Sequence, residues 1–357
     1  MPIAAFYIGS YSIASPWAGA PGAHGAGVRR ADLDLESGEI VVGPTKSELN
    51  PSFLARDGQA GLLWTITEPE FGGELICYRE ETGRLNLIGR AATGADAPCH
   101  LVIDRDRGLG FVAHYHGGCV AALSLGDDGR PQRTLALLAP PGIARGEDRG
   151  GAHARPHASL LLGQEELLVT DTGRDLVLLY KIRGQGSTGA FELLDALPLP
   201  IGSGPRHVAH RRGQDVIYVS NQNSSGVSIV ARVSTNEGPR LELRGIVSAP
   251  NLGRAQPAPS EIALHPTRDV LYMANREDNS LSIFSVDSAT GGLAAKGCVD
   301  VMGRNPRHFG ISPDGGYLIV ANQDSDELTT FRLGGDGRDA TWTGRRFAVA
   351  TPTAVCF

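Results

Sequence analysis

Gly204-Pro205-Arg206-His207-Val208 and Asn305-Pro306-Arg307-His308-Phe309 spell one phrase: a proline, two variable residues, then an apolar residue that opens a strand. The phrase also stands at Asn50-Pro51-Ser52-Phe53-Leu54, Ala97-Pro98-Cys99-His100-Leu101, Arg155-Pro156-His157-Ala158, Ala258-Pro259-Ser260-Glu261-Ile262 and Thr351-Pro352-Thr353-Ala354-Val355. Successive prolines are 47, 58, 49, 54, 47 and 46 residues apart. A period of about fifty built from β-type segments predicts a propeller, in which each repeat is one four-stranded blade.

Working outward from the prolines, a second β-rich run follows each of the first six, as in Leu62-Leu63-Trp64-Thr65-Ile66, Val216-Ile217-Tyr218-Val219 and Tyr317-Leu318-Ile319-Val320. Turn chemistry separates the runs, for example Ser312-Pro313-Asp314-Gly315-Gly316. Each repeat therefore reads as an antiparallel meander of four strands. The last proline phrase has no second strand after it, whereas Phe6-Tyr7-Ile8-Gly9-Ser10-Tyr11 looks like a second strand lacking a phrase. The expectation is an all-β, seven-bladed β-propeller, one domain over residues 1–357, its ring closed when the C-terminal strand joins the N-terminal blade.

Composition narrows the function classes. A net charge of −6 argues against nucleic acid as partner. No run of eighteen apolar residues exists, which argues against a membrane span. Met1-Pro2-Ile3-Ala4-Ala5-Phe6 enters a strand at once, unlike a signal peptide, and five cysteines without a C-x-x-C pair read as free thiols. A cytoplasmic address is expected. No metal-ligand spacing, phosphate loop or nucleophile elbow occurs, so no metal and no cofactor are expected.

In a meander, strand two ends at the face where the proline phrase begins. The residues after each proline should thus meet the ends of the second strands, among them Glu68, Tyr115, Gln222, Arg276 and Gln323. The fourteen variable slots of the seven phrases hold His100, His157, Arg206, His207, Glu261, Arg307 and His308, four of the ten histidines among them. A ring of His and Arg in an acidic chain points to a cleft for a small anion. Strand alternation implies that Arg206 and His207 cannot both face the channel. Taken singly, His100, His207 and His308 read first as structural. His210 and His265 fall in hairpin turns and are expected in solvent, while Asn221, Asn275 and Asn322 are expected to tie turns. Two long loops, 13–26 with Trp17 and His24, and 139–155 with Arg145, Arg149, His153 and Arg155, reach the same face and are candidate lids.

Gly204-Pro205-Arg206-His207, Leu271-Tyr272-Met273-Ala274-Asn275-Arg276 and Asn305-Pro306-Arg307-His308-Phe309-Gly310-Ile311-Ser312-Pro313-Asp314-Gly315 resemble the phrases of the seven-bladed lactonase family. That family includes propeller-type 6-phosphogluconolactonase and a fungal carboxy-muconate cyclase. The likeness runs from about Tyr7 to Phe357. It implies a site made of His157, Arg206, a Glu after the following second strand, and Arg276. This chain departs at the third position, where Gln222 stands for the Glu and can neither act as a base nor carry charge. Glu261 or Glu68 could supply a carboxylate instead.

The reading that follows is a metal-free lactone hydrolase, 6-phosphoglucono-δ-lactone its first substrate. His157 would be the base, Glu261 would orient the water, and Arg206 and Arg276 would hold the oxyanion or phosphate. Arg307, Gln222, His207, His308 and His100 would line the substrate. Two alternatives stand beside it: a catalytically silent propeller binding an anionic metabolite or a protein, which Gln222 favours, and a muconate-cyclase-like lyase.

Overall fold

The computed structural model describes residues 2–144, 147–148, 152–163 and 165–357. Its regular structure is seven four-stranded antiparallel sheets, one two-stranded hairpin and three single turns of 3-10 helix. Seven sheets of four strands are what the proline repeat predicts of an all-β, seven-bladed propeller. Six sheets run in simple chain order, such as Pro205–His210, Val216–Asn221, Gly226–Thr235 and Gly238–Ser248. The seventh has the order Ile40–Lys46, Val28–Asp34, Ile3–Ser10, Pro352–Cys356, so the last strand completes the first sheet. Ile8 pairs with Val355 and Tyr7 with Cys356.

The chain's contacts gather into two compact units. The first comprises Met1–Leu54, Ser225–Val227 and Val247–Phe357, and holds the sheets that begin at Pro259, Pro306 and Pro352. Its core includes Phe6, Ile8, Ile319 and Val355 in one cluster, and Tyr272, Phe309, Val320 and Phe331 in another. The second comprises Ala55–Ser224 and Ser228–Ile246 and holds the four sheets between. There Leu168, Leu179, Val219 and Val230 form one cluster and Phe111, Val120, Val169 and Leu178 another. Second strands such as Leu62–Ile66 and Leu109–His114 are buried at every residue. A sheet packed on both faces has no polar side, which is why these strands read as unbroken apolar runs.

The proline phrase has a physical cause on each side of the ring. The residue before the proline lies in the left-handed region in six of the seven phrases: φ is 42° at Asn50, 46° at Ala97, 62° at Gly204, 49° at Ala258, 55° at Asn305 and 45° at Thr351. A proline already steers its predecessor away from the right-handed helix. In the left-handed turn the pre-proline carbonyl accepts the N–H that follows strand two. Gly204 O takes Gln222 N at 2.8 Å, Ala97 O takes Tyr115 N at 3.0 Å, and Asn305 O takes Gln323 N at 3.0 Å. Side chains hold the pre-proline amides: Gly204 N donates to Asp175 Oδ1 (2.6 Å), Asn305 N to Asn279 Oδ1 (2.7 Å) and Thr351 N to Asp326 Oδ1 (2.8 Å).

After the proline comes a β-bulge. Pro205 faces Asn221 but Val208 faces Val219, so three steps on one strand match two on the other. The same slip follows Pro98, Pro156, Pro259, Pro306 and Pro352. A bulge breaks the alternation of sides and re-aims side chains. It removes the strict alternation on which the parity argument stood; Arg206 and His207 are both buried, at 2% and 4% exposure.

His265 is a second correction. It is buried rather than solvated, with Nδ1 accepting from Thr267 N (3.2 Å) and Arg268 N (3.1 Å) and Nε2 on Gly315 O (3.0 Å). Gly315 permits this, since a Cβ there would lie 2.4 Å from the imidazole. Asn221, Asn275 and Asn322, expected to tie turns through backbone hydrogen bonds, instead each donate to a side-chain hydroxyl of strand three: Ser228 (2.8 Å), Ser282 (2.8 Å) and Thr329 (2.9 Å).

Candidate functional site

In the second unit the bulges bring three of the expected histidines together. His157 and His207 are buried and His100 is half-buried. Their rings form a file with Tyr115, each edge to face with the next. Tyr115 to His157 is 5.6 Å between centroids, His157 to His207 5.0 Å and His207 to His100 5.4 Å. Ser159 N donates to His100 Nδ1 at 3.4 Å, which leaves the proton of a neutral His100 on Nε2. Threonines of the strand Glu166–Asp171 and its turn fix the next phrase: Thr170 Oγ1 donates to Arg206 O and Thr172 Oγ1 to Pro205 O, both at 2.6 Å. The Arg206 guanidinium is thereby a buried cation on a backbone held from two sides. Tyr115 was not among the expected site residues. It occupies the slot after strand two that Gln222 and Arg276 fill elsewhere, where the sequence places it at this face without giving it a role.

Gln222 is half-buried at the end of its hairpin, so the position expected to carry a carboxylate carries an amide. Glu68 is buried at 3% exposure in the same unit. Two other groups at strand-two ends are titratable and buried. Burial pushes His114 down to about 4, with Nδ1 on Val112 O (3.0 Å) and Nε2 on Thr93 Oγ1 (2.9 Å), so it is neutral near pH 7. Burial pushes the Asp171 carboxyl above its ordinary value, although Oδ1 accepts three backbone N–H groups: Arg155 (2.7 Å), Gly173 (3.1 Å) and Arg174 (3.3 Å).

In the first unit Glu261 is engaged by His308. Nε2 lies 3.0 Å from Glu261 Oε2, and both side chains are 12% exposed. Val355 N donates to His308 Nδ1 at 3.3 Å, so the ring proton sits on Nε2 and donates to the carboxylate. Arg307 holds loop 13–26: Nη2 donates to Tyr11 Oη (2.6 Å), Nη1 to Ala18 O (3.0 Å) and Gln323 Oε1 (3.3 Å). Its guanidinium also lies over the Tyr11 ring, 4.9 Å from the centroid. Asn50 takes the other side of the loop, Oδ1 accepting from Ser12 N (2.8 Å) and Ile13 N (3.1 Å). Arg276 is half-buried, and its N and Nε both reach Ala258 O, at 3.3 and 3.4 Å.

Of loop 139–155, Arg145 and Arg149 lie outside the described residues. Arg174 ties its two sides, Nη1 donating to Pro140 O (2.6 Å) and Nε to Ala152 O (3.0 Å). Among the described residues no group of three or more His, Cys, Asp or Glu is placed to hold a metal ion, and no helix is long and apolar enough to cross a membrane.

Residues 5–357 match the family model described as "Lactonase, 7-bladed beta-propeller". A protein of Formosa agariphila named 6-phosphogluconolactonase is 26% identical, with 91% of each chain covered. One of Bacillus subtilis with the same name is 25% identical, covering 92% of this chain and 93% of that one. The crystal structure of a putative 6-phosphogluconolactonase from Bacteroides fragilis superposes with a TM-score of 0.85 at 22% identity, covering 98% of this chain and 96% of that one. With its phrases, its seven sheets and a family match along nearly its whole length, the chain belongs to the seven-bladed β-propeller lactonase family.

Proposed function

We propose that this protein hydrolyses a phosphorylated sugar lactone, with 6-phosphogluconolactone the substrate to test first. The observation that carries the reading is the file of His157, His207 and His100, the first two buried, beside the Arg206 phrase. The names of the Formosa agariphila and Bacillus subtilis relatives supply the substrate class. Opening a lactone requires a base for water, positive charge for the tetrahedral oxyanion and a proton for the departing ring oxygen. Imidazole is the side chain that ordinarily titrates near neutral pH. His157 takes a proton from water as the water oxygen bonds to the acyl carbon. Arg206 compensates the oxyanion. The acyl–ring oxygen bond then breaks, and the proton passes from His157 to the ring oxygen, giving the open hydroxy acid.

Hydrolysis of 6-phosphogluconolactone is measured above its spontaneous opening. His157→Ala is expected to lower kcat by about 10²–10⁴-fold, and Arg206→Ala to remove most of the acceleration. An unaltered rate in His157→Ala would take that residue out of the mechanism. Arg276→Ala, Arg307→Ala and Glu261→Gln in the same assay decide whether those residues contribute to turnover. Gln222 favours a second reading, in which the site binds an anionic metabolite without turning it over. No acceleration by a folded protein that still binds 6-phosphogluconate would establish that one.

A further inference from the structure

A cleft of about 380 Å³ opens in the second unit between Tyr115–Gly118 and His153–Arg155. Its lining residues include the guanidinium of Arg155, the imidazoles of His116 and His153 and the phenol of Tyr115, with no carboxylate among the described residues. Arg155 is exposed, yet its backbone is fixed: its N–H donates to Asp171 Oδ1 (2.7 Å) and its carbonyl accepts from Thr172 N (3.0 Å). The guanidinium lies 5.2 Å from the Tyr115 ring centroid and makes one long hydrogen bond, 3.4 Å, to Tyr115 Oη. Most of its fork of donors is left for a ligand. The same ring also stands 5.6 Å from the catalytic candidate His157. A second cleft of the same unit, about 340 Å³ between Leu162 and Arg232, offers a contrast. Glu165, Glu166 and Asp215 line it, and its Arg232 is held bidentate by Glu166, so that guanidinium is already committed to a carboxylate.

We propose that the Tyr115–Arg155 cleft is the subsite for the phosphate monoester of the substrate, and that Arg155 sets the preference for a phosphorylated over an unphosphorylated sugar. The proposal rests on the lactonase reading and deepens it. In a 6-phosphorylated δ-lactone the phosphate is carried outside the ring, separated from the acyl carbon by the ring oxygen, C5 and C6. A molecule with its acyl carbon at His157 therefore needs an anion site beyond one of that residue's two ring neighbours in the file, and Tyr115 is the one with a guanidinium over its ring. Arg155 meets the phosphate there with a planar fork, suited to two parallel hydrogen bonds.

The test separates binding from turnover. Affinities for 6-phosphogluconate and gluconate are measured by calorimetry on the wild-type protein and on Arg155→Ala. Arg338→Ala, an exposed position in the first unit, serves as the charge control. The wild type and the control are expected to prefer the phosphorylated acid by ten-fold or more, and Arg155→Ala to bring that ratio close to one. A wild type without preference, an Arg155→Ala variant that keeps it, or no binding of either acid would overturn the subsite. Absence of lactone hydrolysis together with an Arg155-dependent preference would instead overturn the lactonase reading and leave the subsite standing.

Discussion

Asp171 occupies a position where three other sheets carry asparagine. Asn221, Asn275 and Asn322 each meet a hydroxyl seven residues on, whereas the residue seven after Asp171 is Leu178. Its Oδ2 is buried with no hydrogen-bond partner among the described residues. Below the ordinary carboxylate pKa the group is protonated folded or unfolded and imposes no cost. As pH rises through its higher folded value, the fold must hold a desolvated charge and stability is lost. Asp171→Asn keeps the Oδ1 acceptor without the charge, so its melting temperature minus that of the wild type is expected to increase from pH 4 to pH 7. A pH-independent difference would contradict the assignment. Gln222→Glu is the second residue-scale prediction: restoring a base next to the Gly204 carbonyl is expected to raise kcat on 6-phosphogluconolactone, read by steady-state kinetics. At this scale the sequence was partly legible. The crowding of His100, His157, Arg206 and His207 into proline slots marked a site, but the file of rings depends on bulges that no residue type announces.

Among elements, the proline phrase is the unit that does most. Its left-handed residue, proline and bulge together turn the chain out of one sheet and into the next. The prolines and their spacing were plain in the sequence. The bulge was not, because inserting one residue into a short strand leaves its composition unchanged and shifts only the register. Loop 13–26 shows the same limit. Its Gly/Pro/Ala content does not show what holds it: Asn50 and Arg307 belong to proline phrases, and Gln323, just after a second strand, donates from Nε2 to Gly19 O at 3.0 Å. Arg307→Ala deletes the bonds to Tyr11 Oη and Ala18 O. Amide exchange across residues 12–24 is expected to accelerate by ten-fold or more, corresponding to roughly 1.4 kcal/mol of local opening. Unchanged protection would show that the remaining clamps, Asn50 and Gln323 among them, hold the loop without Arg307.

For the molecule as a whole, the repeat was the most legible feature, because seven copies of a weak signal reinforce one another. The blade count and the completion of the first sheet by Pro352–Cys356 followed from it. Deleting residues 352–357 is expected to lower the melting temperature sharply. Val355 and Ala354 are buried, their burial stabilises by about 2–4 kcal/mol, and Phe357 packs against Phe6 at 5.0 Å. The deletion also bares the backbone edge of Ile3–Ser10, so light scattering should report association of the truncated protein.

That sheet has a consequence in time. The strand Ile3–Ser10 leaves the ribosome more than three hundred residues before its partner Pro352–Cys356 exists. At about 5–20 residues per second, its inner edge waits on the order of tens of seconds for the strand that covers it. During synthesis the sheet that closes the fold is the one that cannot yet form.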